Sequence, residues 1–256
     1  KLVEREGMCI DVVSGGELYT ALKAGFPPER IEFNGNNKLP EELRLAIKNG
    51  IGRIIVDGFS ELKRIEAICR EEDRKVSVLF RITPDVKADS HDYIVTGKKD
   101  SKFGLPLEEE IILEQVGSAI SSEYIDFKGL HFHLGSQLFD NGPYLQALDT
   151  ILKLAKKIKE KFGCEVSELN FGGGFGIKYV DEEEKSYSYY IDPMMQKLEA
   201  FCEAEGFARP AVVIEPGRSI VGEAGLSVYT VGQIKDIEGV RKYISVDGGM
   251  TDNIRP

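Results

Sequence analysis

Ala211-Val212-Val213-Ile214-Glu215-Pro216-Gly217-Arg218 is a short β-branched run that stops on an acid, a proline, a glycine and an arginine. A strand that ends this way carries its reactive side chains at its C-terminal tip. Six earlier runs take the same form: Cys9–Ser14, Ile31–Gly35, Arg53–Asp57, Ser77–Ile82, Phe127–Leu134 and Glu168–Phe171. Between them lie segments with apolar residues at helical spacing, such as Leu145, Leu148, Ile151, Leu152, Ala155 and Ile158. The lysines on the opposite face of that segment, Lys153, Lys156 and Lys157, read as solvated. Strands alternating with helices build a parallel sheet, and strand tips rich in polar residues and glycine are where (β/α)8 barrels keep their sites.

The predicted fold class is therefore α/β, a (β/α)8 TIM barrel. Seven βα strands are one short of closure, and Lys1–Glu6 reads as the end of a helix, so the first strand is expected upstream of Lys1. Beyond Arg218 the pattern changes to two strands, Leu226–Lys235 and Lys242–Asp247, with no helix between them. This reads as the beginning of a β-sandwich or β-barrel domain. The expected division is residues 1–222 for the barrel and 223–256 for the β domain.

A formal net charge of −10 repels phosphate backbones, and no basic stripe interleaved with aromatics offsets it, so nucleic acid is not an expected partner. No apolar run is long enough to span a membrane, and residues 1–7 do not form a leader. A soluble, cytoplasmic protein is expected. Cys9, Cys69, Cys164 and Cys202 are scattered without CxxC spacing, which points to reduced thiols rather than zinc or disulfides.

Phe171-Gly172-Gly173-Gly174-Phe175-Gly176 leaves backbone N–H groups open to an anion such as phosphate, or else makes a tight βα turn. Glu215 and Arg218 follow the next strand, and the loops after the last two strands of a barrel are its recurrent phosphate site. Arg218 offers a forked donor, whereas Glu215 costs several kcal/mol to bury unpaired, about the penalty of any isolated buried ion. A pyridinium N–H would pair it; a Glu–Arg ion pair is the structural alternative. In Gly129-Leu130-His131-Phe132-His133-Leu134-Gly135-Ser136 the strand period of two places His131 and His133 on one face. They are satisfied core histidines, a surface that stacks on a planar ring, or an HxH metal pair. Ser136 is placed to donate to a phosphate. Arg81 must find anionic or carbonyl acceptors, whether structural or on a cofactor. Ser14 and Glu17 form a capping box.

Taken together, DVVSGGEL (11–18), GNNK (35–38), TGKKDSKFG (96–104), HFHLGSQ (131–137), FGGGFG (171–176), EPGRS (215–219) and DGGMTDNIRP (247–256) resemble the diaminopimelate decarboxylases. These belong to the alanine-racemase-like class of pyridoxal-phosphate (PLP) enzymes, which also holds the ornithine and arginine decarboxylases. The segments run the length of the chain. HxxGS, GGG and EPGR are shared across the class, whereas GNNK, the KFG loop and MTDNIRP point to the diaminopimelate branch.

The resemblance implies a PLP-dependent carboxy-lyase that converts meso-2,6-diaminopimelate to L-lysine and CO2, the last step of lysine biosynthesis, as a homodimer with shared active sites. It implies that His133 stacks on the pyridine ring and Glu215 bonds the ring nitrogen. Ser136 and Gly174 hold the phosphate, Gly217 and Arg218 complete its loop, and Gly173 and Pro216 count with the cofactor-binding residues. Arg218 also contacts substrate, Arg255 contacts a substrate carboxylate, and Arg81 lies near the cofactor. The family's cofactor-binding lysine falls upstream of Lys1, and its Cys-Glu-Ser motif and later tyrosines fall beyond Pro256. The chain by itself is accordingly expected to be inactive. Competing readings are a related carboxylated substrate such as carboxynorspermidine, arginine or ornithine, a metal-dependent barrel hydrolase using His131 and His133 with Asp247 or another carboxylate, and a non-catalytic homologue.

Overall fold

A computed structural model describes residues 1–86 and 101–252. The chain forms two compact units, the first from Lys1 to Ser219 and the second from Ile220 onward. In the first unit the order is α1 (Leu2–Arg5), β1 (Ile10–Val12), α2 (Gly15–Lys23), β2 (Ile31–Phe33), α3 (Pro40–Asn49), β3 (Arg53–Val56), α4 (Phe59–Glu72), β4 (Val76–Thr83) and β5 (Leu105–Pro106). It continues through α5 (Glu109–Ser121), β6 (Ile125–His131), α6 (Gly142–Phe162), β7 (Glu168–Asn170), α7 (Tyr187–Glu205), β8 (Ala211–Val213) and α8 (Gly217–Val221), which reaches into the second unit.

All seven expected barrel strands are present. They pair in parallel in the order β1-β2-β3-β4-β6-β7-β8, with β1 and β8 at the two ends of the path. Each is followed by a helix or by a loop leading to one, so every strand tip opens on the same rim. β5, which sequence reading omits, is a two-residue strand containing Pro106 that pairs only with Ile82 and Thr83 of β4. It is too short to leave a periodic signature.

The core lies between strands and helices. Phe33, Ile54, Ile55, Phe80, Leu130 and Leu169 are buried on the sheet, and Leu43, Ile65, Ile112, Leu148, Ile151 and Leu198 meet them from the helices. α6 shows how the pattern becomes packing. Pro143 sits in its first turn, where a missing N–H costs nothing, Leu148, Ile151, Ala155 and Ile158 are fully buried, and Gly163 ends it at φ 65°. Two of its three outer lysines are ion-paired rather than merely solvated: Lys156 with Glu205 at 2.7 Å, and Lys157 with Glu109. Such half-exposed pairs contribute about 0–1 kcal/mol.

Three local expectations change. The Ser14 cap forms, its Oγ accepting from Glu17 N at 3.2 Å, but the Glu17 carboxylate returns to Val13 N at 2.7 Å instead of Ser14 N. β6 ends at His131, not Leu134, because its last ladder partners are Arg81 and Asn170, and β7 stops there before Gly172 turns at φ 66°. In the second unit the strand expected at Leu226–Lys235 is β9 (Val231–Ile237), antiparallel to β10 (Arg241–Val246). The ladder begins at Val231 opposite Val246, and Thr230, just before it, is tied across to Asp247, whose N donates to Thr230 O at 3.2 Å. The four cysteines are free thiols. No helix among the described residues is long and apolar enough to cross a membrane.

Candidate functional site

The strand tips of the first unit bring a polar layer into its interior. Asp11 lies on β1, Asn34 follows β2, Arg81 lies on β4, His131 ends β6, Asn170 ends β7, and Glu215 follows β8. Glu215 is the hub. Its Oε1 is 3.0 Å from His131 Nε2, 3.1 Å from Asn34 Nδ2 and 2.8 Å from Asn170 Nδ2. His131 is fully buried and the Glu215 side chain is 15% exposed. Because a carboxylate oxygen only accepts, His131 Nε2 carries the hydrogen of that bond. Burial alone pushes the Glu215 carboxyl up, but His131, the neighbouring Glu32 and the nearby His133 outweigh it and hold the group below the usual carboxylate range.

His133 sits beyond the strand, so strand alternation is not what aligns it with His131. The two rings nonetheless flank the same acid, each held differently. His133 Nδ1 accepts from Gly173 N at 3.1 Å, and burial, followed by the charge of Arg81, lowers its imidazole from 6.5 to about 4. It is a neutral ring at neutral pH. The HxH metal pair loses its basis, since one ring is engaged by an acid and the other by a backbone amide. Asp247, the carboxylate named in that reading, accepts from Thr230 N at 2.8 Å.

The glycine run is a close-approach device. A Cβ on Gly173 would stand 2.0 Å from the Glu215 carbonyl oxygen, and one on Gly174, at φ 96°, 2.2 Å from that of Gly135. The turn is tight and it also opens a cavity. About 150 Å³ is lined by His133, Gly135, Ser136, Gly174, Glu215, Gly217 and Arg218, among others. Arg218 Nε donates to Ser136 Oγ at 3.2 Å and its Nη1 to Tyr179 Oη at 2.8 Å. The structural alternative, a Glu215–Arg218 ion pair, is not formed, because the arginine is turned toward Ser136 and Tyr179. Beneath the run, the buried Tyr144 hydroxyl donates to Gly173 O at 2.9 Å.

A second cavity of about 500 Å³ also touches His133 and Glu215, and is lined by Asp11, Asn34, Asn36, Arg81 and Phe103. Arg81 is buried, with Nε 3.7 Å from Asp57 Oδ1 and its guanidinium 4.7 Å from the Phe103 ring centroid. It thus has the anionic acceptor its burial requires. Pro216 joins Glu215 to Gly217 in the loop after β8, where Gly217 N bonds back to Glu215 O at 2.9 Å. Arg255, residues 87–100 with His91, and the start of the TGKKDSKFG segment lie outside the described residues.

These residues fit PLP. A cavity walled by glycines, a serine and an arginine suits a phosphate, and an acid held ionised at its edge suits a ring N–H. Residues 1–222 match the family model for the pyridoxal binding domain of pyridoxal-dependent decarboxylases. The chain belongs to the pyridoxal-dependent decarboxylases. It is 46% identical to diaminopimelate decarboxylase of Bacillus subtilis over 257 residues, covering 100% of this chain and 58% of that one. The Staphylococcus aureus enzyme of the same name is 43% identical, with 100% and 59% covered. Among solved structures, diaminopimelate decarboxylase from M. jannaschii in complex with L-lysine superimposes with a TM-score of 0.89 at 36% identity, covering 100% of this chain and 58% of that one. The Helicobacter pylori enzyme with L-lysine gives 0.86 at 35%, covering 100% and 61%. The chain thus spans less than two thirds of each of these relatives.

Sequence reading missed Glu32, Asn34 and Asn170, all buried. Each had a signal: Glu32 interrupts the apolar run Ile31–Phe33, while Asn34 and Asn170 are polar residues at strand tips. Lys38, the one buried lysine among the described residues, is bound to Glu61 at 2.8 Å and to the carbonyls of Gly35 and Ile55, a structural ion pair with no free amine to offer.

Proposed function

We propose that a protein of its relatives' length containing this chain decarboxylates meso-2,6-diaminopimelate to L-lysine with PLP, as a cytoplasmic homodimer. The observation that carries this reading is Glu215, an acid that takes hydrogen bonds from Asn34 and Asn170 and faces His131 at the edge of a glycine-walled cavity. When bound, PLP supplies the electron sink for the pair released as the C–COO bond breaks. Glu215 would hold a proton at the ring nitrogen, and the neutral His133 ring would stack on the pyridine. Ser136, Gly173, Gly174, Gly217 and Arg218, with Pro216 shaping the loop, hold the phosphate. Arg81 stands near the cofactor, and Arg218 and Arg255 receive carboxylate groups of the substrate, a pairing that rejects diamines lacking them. Residues 1–222 act as the cofactor domain, and residues 223–256 begin the β domain.

Reconstitution tests this. Protein of full family length should develop the absorbance of a lysine-bound PLP and release CO2 from meso-diaminopimelate. Glu215→Ala should keep the fold and lose roughly a hundredfold or more in kcat, the scale set by removing a preorganised electrostatic partner. Wild-type turnover in that variant would refute the ring-nitrogen role.

A further inference from the structure

Behind Glu215 lies a second acid that the decarboxylase reading does not use. Glu32 points into the barrel from the middle of β2 and is 4% exposed. Asn170 Nδ2 lies 2.8 Å from Glu32 Oε1 and 2.8 Å from Glu215 Oε1. Asn34 Nδ2 bridges the same two oxygens at 3.4 and 3.1 Å. Two amides thus clamp the two carboxyl groups together. Two ionised carboxylates held this close in a buried site repel each other, and a proton on one of them removes the repulsion and gives the pair a donor.

The surroundings decide which. Glu215 Oε1 gathers donors from His131, Asn34 and Asn170, whereas no donor reaches Glu32 Oε2. Arg53 Nε stands 4.0 Å from Glu32, and its Nη2 is committed to Glu168 at 2.8 Å. The other charges facing the pair are Asp11 on β1 and Arg81 on β4, and Arg81 is turned to Asp57. Cationic charge near Glu32 is too scarce for two buried anions.

We propose that Glu32 is a positioning residue that holds a proton against Glu215, so that the two acids carry a single negative charge between them. Burial, and then the charge of Glu215, push the Glu32 carboxyl well above the usual range, in the same direction. Glu32 thereby does for Glu215 what a neutral acid does in an oxyanion site: it donates a hydrogen bond and lowers the partner's basicity. This consequence rests on the function proposed above. A proton shared between Glu215 and the ring nitrogen then stays on the nitrogen.

The test uses protein of full family length carrying Glu32→Gln, Glu32→Leu or, as a spectral control, Asp11→Asn. Without cofactor, infrared spectra of Asp11→Asn near neutral pH should show the carbonyl stretch of a protonated carboxylic acid, and adding Glu32→Gln should remove it. Absence of the band, or its survival in the double variant, overturns the proposal. With PLP, Glu32→Leu should bind about tenfold more weakly, and Glu32→Gln, an amide that still donates, should recover binding to within about twofold. Wild-type affinity should fall at alkaline pH while that of Glu32→Gln stays level. Equal affinities in the Leu and Gln variants also overturn it. Failure of the wild type to bind PLP would sink the function instead, and the infrared band would still decide the proton.

Discussion

His133 shows how one residue's surroundings set a pH dependence for the molecule. Its folded imidazole titrates at about 4 against 6.5 for the free group. Between those values the unfolded chain binds a proton that the folded chain does not, so stability rises with pH across this window and is lost as pH falls through it. Above the window the ring is neutral in both states and the penalty vanishes. His133→Gln cannot titrate, so urea unfolding at successive pH values should show wild type losing about 1–2 kcal/mol more than the variant on acidification, a figure discounted for water at the cavity. Identical pH slopes would mean that the imidazole is protonated in the fold. Its neighbour Gly173 makes a steric prediction. A methyl group there meets the Glu215 carbonyl at 2.0 Å, and overpacking of this kind costs about 1–3 kcal/mol. Gly173→Ala should therefore weaken PLP binding by about ten- to a hundredfold in an absorbance titration.

At the scale of elements, the loop after β7 is held from below by α6 and α7. Tyr144 of α6 donates to Gly173 O and stacks on Phe175 at 5.7 Å, and Tyr190 of α7 donates to Leu138 O at 2.9 Å. Tyr144→Phe keeps the stacking and deletes one buried hydrogen bond, so it should cost about 1–2 kcal/mol in urea unfolding and weaken PLP binding in parallel. Loss of stability with unchanged binding would show that Tyr144 supports only the helix. The contrast between this loop and the acid pair explains what the sequence made legible. The glycine run, the Glu-Pro-Gly-Arg turn and the helix stripe of α6 are contiguous or periodic, so their chemistry can be read in place. The Glu32–Asn170 and Asn34–Glu215 contacts join residues 138 and 181 positions apart. Only closure of the sheet into a curve brings them together, and no local pattern encodes that meeting. Strand ends depart from the sequence expectation for a related reason. β6 and β9 stop where their partners stop, and a partner's length is not written in the strand itself.

Across the whole molecule, the two units differ in how they hold themselves together. The first buries apolar residues on both sides of a parallel sheet, as at Phe80, Leu130 and Ile151. In the second, no described residue is buried, and its one sheet is the β9–β10 pair. Val231, Ile234, Tyr243 and Ile244 stand about half exposed on it. A two-stranded sheet without a covering layer is marginally stable in water, so its backbone hydrogen bonds should open locally at little free-energy cost. Amides of the central strands β4 and β6 open only with the unit itself, at a cost of about 5–15 kcal/mol for an ordinary domain. Hydrogen exchange on this 256-residue chain should therefore run at least about a thousandfold faster in β9 and β10 than in β4 and β6. Comparable protection in all four strands would mean that the hairpin draws stability from contacts beyond its own ladder, because burial within it is too slight to supply the difference.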